Sequence, residues 1–298
     1  MKELIREEAL RIGFSLCGFA KNDSLEELRP FYTDFIRRQG HAGLKYLETH
    51  LEKRLHPELL LEGTKSVIAV LLNYYPPEII AEDNNFIISK YAYGTDYHQV
   101  MRVRMNELVE FIKLSCGSHQ TKAFVDSGAV LEKAWAQKCG VGWQGKNTLI
   151  INKTGGSFYF IGIILTDHAF EPDLPETDHC GTCNNCMTAC PAGALDTPFQ
   201  LNIPRCISYL TIENKEEIPA DLKNTLNNRI YGCDICQDVC PYNRFASPHA
   251  ISEFLPAKSL AQMRKNDWLN LTEPDFNRIF AGSPVKRLGY ARLRGNIY

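Results

Sequence analysis

An α+β fold carrying a separate cysteine-rich module is what this sequence predicts, on three observations. Helix and strand signals alternate through residues 1–172 without any internal repeat. The apolar stretch "TLIINKTGGSFYFIGIILT" reads as a hairpin turning at Gly155-Gly156. Eight of the eleven cysteines lie between Cys180 and Cys240.

Each element has its own signal. Leu4, Ile5, Ala9 and Ile12 recur at helical spacing in the opening segment, and a short strand follows at "FSLCGFA". Helical segments are expected over residues 25–39 and 43–50, and "SVIAVLLNYY" reads as a buried strand ahead of "FIISKYAYG". Asp96 then caps a long helix, "YHQVMRVRMNELVEFIKLSC". A strand at "TKAFVDS", a helix at "VLEKAWAQKC" and the hairpin complete the first unit, residues 1–172. The stretch "DHAFEPDLPETDHC", rich in Pro, Asp and Glu, reads as a linker into the cysteine module, residues 173–248. A helical, basic segment closes the chain at 249–298.

At 298 residues, 44% hydrophobic and 23% charged, the composition is that of a folded soluble protein. The apolar runs are too short to cross a bilayer, and "MKELIREEALRIGF" is charged and helical rather than a signal peptide. A cytoplasmic monomer without membrane contact is expected. In that reducing compartment, eleven cysteines point to metal or redox chemistry rather than disulfides. The net charge of -2 argues against a wholly basic nucleic-acid protein, yet residues 277–298 hold five Lys/Arg and no Asp/Glu. With Phe280, Tyr290 and Tyr298 interleaved, this tail suits phosphates and bases; it equally suits a solubilising surface.

The cysteines form two runs: Cys180-x2-Cys183-x2-Cys186-x3-Cys190-Pro191 and Cys233-x2-Cys236-x3-Cys240-Pro241. Ile230 stands where the second run lacks its leading cysteine, and Cys206 is the available substitute, which gives two sets of four. In two-cluster bacterial ferredoxins the last cysteine of each run ligates the other cluster. The same exchange assigns Cys180, Cys183, Cys186 and Cys240 to one 4Fe–4S cluster, and Cys190, Cys206, Cys233 and Cys236 to a second. Iron in a sulfide cubane prefers soft thiolates, and each following proline limits backbone freedom. A zinc site would show paired Cys-x2-Cys instead. Cys17, Cys116 and Cys139 read as ordinary thiols. Two adjacent clusters make an electron path, and the unit ahead of them is too large for a mere cap. It is expected to hold the acceptor, which counts against a non-catalytic electron carrier.

Three stretches imitate other motifs. "GVGWQGKN" matches G-x-G-x-x-G, but it follows a helix and precedes a strand, and Asn147 stands where a P-loop needs Ser or Thr; neither NAD nor ATP is expected. Its glycines leave open the close approach of a flat cofactor to the backbone. "DYHQVM" imitates the D-x-H-x-x-G of corrinoid proteins, with Met101 in place of the glycine, so Asp96 reads as a helix cap. Asp126, between a strand and a helix, is a turn or capping residue, or else an acid whose carboxyl donates a proton.

Together "RLHPELLLEGTKSVIAVLLNYYP", "ISKYAYGTDYH", "VDSGAVLEKAWAQKCGVGWQGKNTLII", "CGTCNNCMTACPAGAL", "CISYLTIE" and "YGCDICQDVCPYNR" resemble the epoxyqueuosine reductase family over nearly the whole chain. The resemblance implies a nitroreductase-like cobalamin-binding domain followed by a ferredoxin-like module with two 4Fe–4S clusters. It implies reduction of epoxyqueuosine to queuosine at the wobble position of a tRNA anticodon. Electrons from an external donor would pass through the clusters to cobalamin. Asp126 matches the family's proton donor. Arg54, Ser89 and the backbone of Thr148 to Ile150 match its cobalamin pocket, and Lys286, Arg287, Arg292 and Arg294 match its tRNA-contacting end. A related corrinoid reductase, such as a small-molecule reductive dehalogenase, is the rival reading.

Overall fold

The computed structural model describes residues 1–118 and 120–297; Tyr298, expected to stack on bases, lies outside the described residues. In chain order the first unit comprises α1 (Lys2–Ile12), β1 (Leu16–Lys21), α2 (Arg29–Arg37), α3 (Leu51–Leu55), β2 (Ser66–Asn73), β3 (Ile87–Ile88), α4 (Tyr97–Cys116), β4 (Thr121–Phe124), α5 (Glu132–Lys138), β5 (Trp143–Gln144), β6 (Ile150–Ile151) and β7 (Tyr159–Thr166). Its main sheet is antiparallel, in the order β1-β2-β7-β4.

Alternation along β2 explains its continuous apolar run. Ile68, Val70 and Leu72 face a core with Ile5 and Ala9 of α1 and Met101, Met105 and Leu108 of α4. Val67, Ala69 and Leu71 face the opposite core, with Trp135 and Ala136 of α5. A central strand covered on both faces has no reason to alternate in polarity. Gly162 on β7 lets α4 approach: a Cβ there would lie 2.6 Å from Met105 Sδ. Asp96 caps α4 as expected, its side chain accepting the His98 N–H at 2.9 Å, and Gly117 ends the helix in the left-handed region.

Three expectations are corrected. The hairpin at Gly155-Gly156 does not form, because β6 pairs with β5 while β7 joins β2 and β4. Only an isolated bridge, Asn152 to Gly156, spans that turn. It closes locally, the Asn152 side chain accepting the Thr154 N–H at 2.9 Å, and this leaves the long apolar run free for the sheet centre. The helix expected over 43–50 is a single 3-10 turn, Lys45–Leu47, since Ala42, Gly43 and His50 have positive φ. Residues 25–39 divide into a 3-10 turn, Glu26–Leu28, and α2 with Pro30 in its first turn.

The linker stretch runs without helix or strand, but it is docked. Asp173 accepts the Phe19 N–H at 2.9 Å and the Arg6 guanidinium at 2.9 Å, covering the edge of β1. The cysteine module holds α6 (Asn185–Ala189), α7 (Ile207–Ile212), α8 (Ala220–Lys223), β8 (Arg229–Tyr231) and α9 (Ile235–Asp238), and β8 pairs in parallel with β3. The closing segment holds α10 (Lys258–Ala261), α11 (Lys265–Leu269), α12 (Glu273–Ile279) and α13 (Tyr290–Gly295). Its Trp268, Phe276, Phe280 and Leu293 share one core with Phe86, Ile88 and Tyr93 of the first unit and Ile230 and Tyr231 of the module. Phe280 is fully buried and Tyr290 is packed on Phe276, so neither is free to stack on bases; core packing has claimed both.

Candidate functional site

Backbone conformation first positions the cysteines. Cys190 and Cys240, each before a proline, adopt the extended conformation that a following pyrrolidine ring favours, and Cys206 adopts it at the start of α7. Helices α6 and α9, one from each cysteine run, pack together. Cys180, Cys183, Cys186 and Cys240 line one cavity with Lys146, Asn147 and Tyr242. Burial pushes the Cys186 thiol up, as do the nearby charges of Cys180, Cys240 and Cys183. A second group forms around Cys206. Burial raises its thiol, Cys190 adds to the rise, and Cys206 and Cys233 in turn act on the buried Cys236. One cavity thus brings Cys180, Cys183, Cys186 and Cys240 together, and Cys206 is coupled to Cys190, Cys233 and Cys236, with Cys186 also acting on Cys236.

The chemistry of this donor set fits cubanes. Four thiolates on one zinc ion stand about 3.8 Å apart. Among the described residues, no three of these sulfurs lie within 4.8 Å of one another. The one trio of ligand atoms that close belongs to Glu26, Glu52 and His56, where Arg29 already bridges both glutamates at 2.6 and 2.7 Å.

The glycine-rich loop is a clamp for both cysteine loops. Lys146 Nζ donates to the carbonyls of Gly181 at 2.6 Å and Cys183 at 2.9 Å, while Asn147 Nδ2 donates to the carbonyl of Cys236 at 3.1 Å. The close approaches its glycines allow are to protein: a Cβ at Gly140 would meet the Leu174 carbonyl oxygen at 2.4 Å, and one at Gly142 that of Ile151 at 2.5 Å. The opening left for a flat cofactor at those glycines is therefore closed.

Asp126 lies just past the end of β4 with a φ of 53°. It does not cap α5, whose cap residue is Leu131. Its carboxylate Oδ2 accepts the Tyr97 hydroxyl at 2.6 Å and stands 3.3 Å from His98 Nε2. The side chain is 60% exposed. The His98 ring, and then the hydrogen bond from the Tyr97 hydroxyl, hold the Asp126 carboxyl below its ordinary range against the effect of burial. Reciprocally, Asp126 and then Asp96 raise the His98 imidazole to about 9. Glu132 Oε1 accepts the Asp126 N–H at 2.5 Å, and burial followed by the Asp126 charge pushes its carboxyl up to about 8. Beside it Lys133 donates to the Thr148 carbonyl at 2.8 Å. The protein crowding this exposed side chain lowers its ammonium, against the opposing charges of Glu132, Cys236 and Cys206. Asp126, Tyr97, His98, Glu132 and Lys133 thus form one cluster of coupled groups, whose charges also reach Tyr46, Cys206 and Cys236.

Of the other expected residues, Arg54 is buried and donates to the Thr49 and Tyr46 carbonyls at 3.2 and 2.9 Å, so it shapes the segment that carries Tyr46. Ser89 is buried against the module, donating to the Asp234 carboxylate next to Cys233. Thr148 has a φ of 65°, and Ile150 is buried on β6. Arg287 pairs with Glu213 at 2.7 Å, and its charge reaches Asp96 and Asp126. Lys286 bonds to Asn277, and Arg292 to the Asn214 carbonyl. Arg294 donates to the carbonyls of Trp268 and Leu269 at 3.0 and 2.8 Å, closing the end of α11. His98, Tyr97, Tyr46, Glu132 and Lys133 are the site residues that sequence reasoning misses; the D-x-H spacing was the one available signal.

A family model described as "4Fe-4S double cluster binding domain" matches residues 179–243, and one described as "Epoxyqueuosine reductase QueG, DUF1730" matches residues 54–127. An epoxyqueuosine reductase of Cellulophaga algicola is 45% identical over 295 residues, covering 99% of this chain and 96% of that protein. One from Escherichia coli K12 is 37% identical over 302 residues, covering 100% and 79%. Among solved structures, an epoxyqueuosine reductase with a tRNA-Tyr epoxyqueuosine-modified stem loop superposes with a TM-score of 0.89 at 33% identity, covering 99% of this chain and 79% of that one.

Proposed function

The chain belongs to the epoxyqueuosine reductase family, and from that premise we propose that it reduces epoxyqueuosine to queuosine in the anticodon of a tRNA. The observation that carries the reading is Asp126, an accessible carboxylate in a cluster of coupled groups that extends through Glu132 and Lys133 toward Cys206 and Cys236. In this reading the first unit is a nitroreductase-like cobalamin domain. Cys180, Cys183, Cys186 and Cys240 hold one 4Fe–4S cluster, and Cys190, Cys206, Cys233 and Cys236 hold the other. When bound, the clusters and cobalamin supply the two electrons of the reduction, drawn from an external donor.

What the chain itself contributes is position and protons. Converting an epoxide to an alkene breaks both C–O bonds of the ring, forms a C=C bond, consumes two electrons and two protons and releases one water. The departing oxygen leaves more readily when protonated, and Asp126 is the accessible acid. Tyr97, donating to Oδ2, fixes the carboxylate's orientation. Arg54 holds the segment bearing Tyr46. Ser89 and Lys90 hold the Asp234 carboxylate, which keeps the second cysteine loop against the first unit. Lys286 and Arg287, at the surface, meet phosphates of the anticodon stem-loop, with Arg292 and Arg294 in the layer behind.

The test is anaerobic reconstitution of both clusters, addition of cobalamin and a reductant, and mass spectrometry of nucleosides from epoxyqueuosine-containing tRNA. Loss of one oxygen from the modified base is expected; an unchanged base rejects the reading. Asp126→Asn is expected to slow turnover by roughly 10²-fold or more while iron and cobalamin contents stay at wild-type levels. Unchanged turnover would return Asp126 to a turn residue.

A further inference from the structure

We propose that His98 is the proton store behind Asp126, an imidazolium held between Asp96 and Asp126 that supplies each proton the Asp126 carboxyl delivers. The inference rests on the function proposed above and concerns residues which that function leaves unused.

The geometry is that of a relay with a fixed far end. Asp96 caps α4 and is anchored there, its Oδ1 accepting the His98 N–H at 2.9 Å. The same oxygen lies 2.7 Å from His98 Nδ1, which sets that nitrogen as a donor. Nε2, on the opposite side of the ring, then faces Asp126 Oδ2 at 3.3 Å. The ring cannot swing freely, because it stacks on Tyr97 with centroids 4.1 Å apart, and Tyr97 stacks on Phe160 at 4.3 Å. The D-x-H motif is thus a cap and a proton carrier in one turn of helix.

A store is needed because Asp126 alone is a poor acid at neutral pH. Its carboxyl is held low, so it is ionised and can accept hydrogen bonds but give none. The proton must come from a neighbour that is charged at neutral pH and touches the carboxylate. Of the groups facing the pair, Tyr97 touches it, but burial and the Asp126 charge push the phenol up, so it orients rather than supplies. Glu132 addresses the Asp126 backbone N–H and not the carboxylate. The Tyr46 phenol is raised by burial and by Asp126. Arg287 acts as a fixed positive charge paired with Glu213. His98 alone combines contact with a transferable proton. In the step, the His98 Nε2–H bond breaks as its proton passes to Asp126 Oδ2 and the carboxyl gives a proton to the departing oxygen in the same event, so that Asp126 is ionised before and after it. Solvent at the exposed carboxylate then reprotonates the imidazole. The two electrons are those of the reduction itself.

The experiment joins a titration to a rate profile. In the holoenzyme with oxidised clusters, histidine ring resonances are followed against pH by NMR, His98 being the signal missing from His98→Gln. A midpoint near 9 is expected for the wild type, falling by a unit or more in Asp126→Asn. A wild-type midpoint near the ordinary value of about 6.5 overturns the relay, whether or not turnover is observed. In turnover, His98→Gln should lose roughly tenfold or more in kcat at pH 7 with KM for the tRNA little changed. Its rate should climb as pH falls toward the carboxylate range, where solvent protonates Asp126 directly. A variant that keeps the wild-type pH profile also overturns the relay. If wild-type enzyme leaves epoxyqueuosine intact, the proposed function fails, and the NMR midpoint still decides the pairing.

Discussion

Glu132 shows how much one residue's surroundings set its chemistry. Burial and the neighbouring charge of Asp126 raise its carboxyl from 4.5 to about 8. A folded-state value above the unfolded one means that the native protein binds the proton more tightly. The stability this group contributes is therefore full below pH 4.5 and is lost as pH rises through 8. His98 runs in the same direction, its contribution full below 6.5 and lost through about 9. The lowered carboxyls of Asp96 and Asp126 run the opposite way, losing their contribution as pH falls below 3.8. Glu132→Gln keeps an oxygen for the Asp126 N–H and removes the titration. Its Tm is expected to fall less than the wild type's between pH 5 and 9, by ~3 °C, or about 1 kcal/mol once solvent access is discounted. Parallel Tm curves would show that Glu132 titrates normally. Asp126 stands just past a strand end, as the sequence suggests, but spacing alone reads it equally as a turn residue, and only the family resemblance singles it out as an acid. His98 and Glu132 were not legible: the D-x-H triplet reads equally as a cap, and a glutamate in the first helical turn reads as a dipole partner.

The glycine-rich loop between α5 and β6 is where one element decides the fate of two others. Asn147 is buried, and its amide is the tie between that loop and the carbonyl of Cys236. Asn147→Ala leaves this carbonyl without that partner, at about 1–2 kcal/mol, and frees the second cysteine loop. The expected result is faster loss of iron from one cluster under a chelator and a Tm lowered by ~2–3 °C. Lys146→Ala should loosen the other cluster instead, since its ammonium grips Gly181 and Cys183. Equal iron loss from both clusters in both variants would refute this division, and EPR distinguishes the two. Helix α4 was readable from cap to C-terminal glycine because its signals are local. The hairpin reading failed for the converse reason. Whether β7 pairs with β6 or with β2 depends on edges that only the assembled sheet supplies.

At the scale of the molecule, the cysteine runs announce their module from spacing alone, but nothing local announces that residues 86–93 and 268–293 share a core. That long-range packing turns a basic tail into a folded layer and sorts four of its five cations, the fifth, Arg278, pairing with Asp275 at 2.7 Å. Arg294 is committed to the end of α11 and Arg292 to the Asn214 carbonyl. Arg287 is 66% exposed, with its charge reaching Asp126, and Lys286 lies one residue away over the Phe276 ring. Arg294→Ala should therefore lower Tm by several degrees through the lost carbonyl partners, with little change in the salt dependence of tRNA binding. Lys286→Ala combined with Arg287→Ala should leave Tm within about 2 °C, because exposed charges contribute little to stability. The double variant should instead flatten the slope of log K against log salt by about 1.4–1.8, the counterions of two phosphates. Fluorescence anisotropy with an anticodon stem-loop at several salt concentrations reads the slope directly. A slope unchanged in the double variant but flattened by Arg294→Ala would mean that the tRNA lies over α11 and not over Lys286 and Arg287.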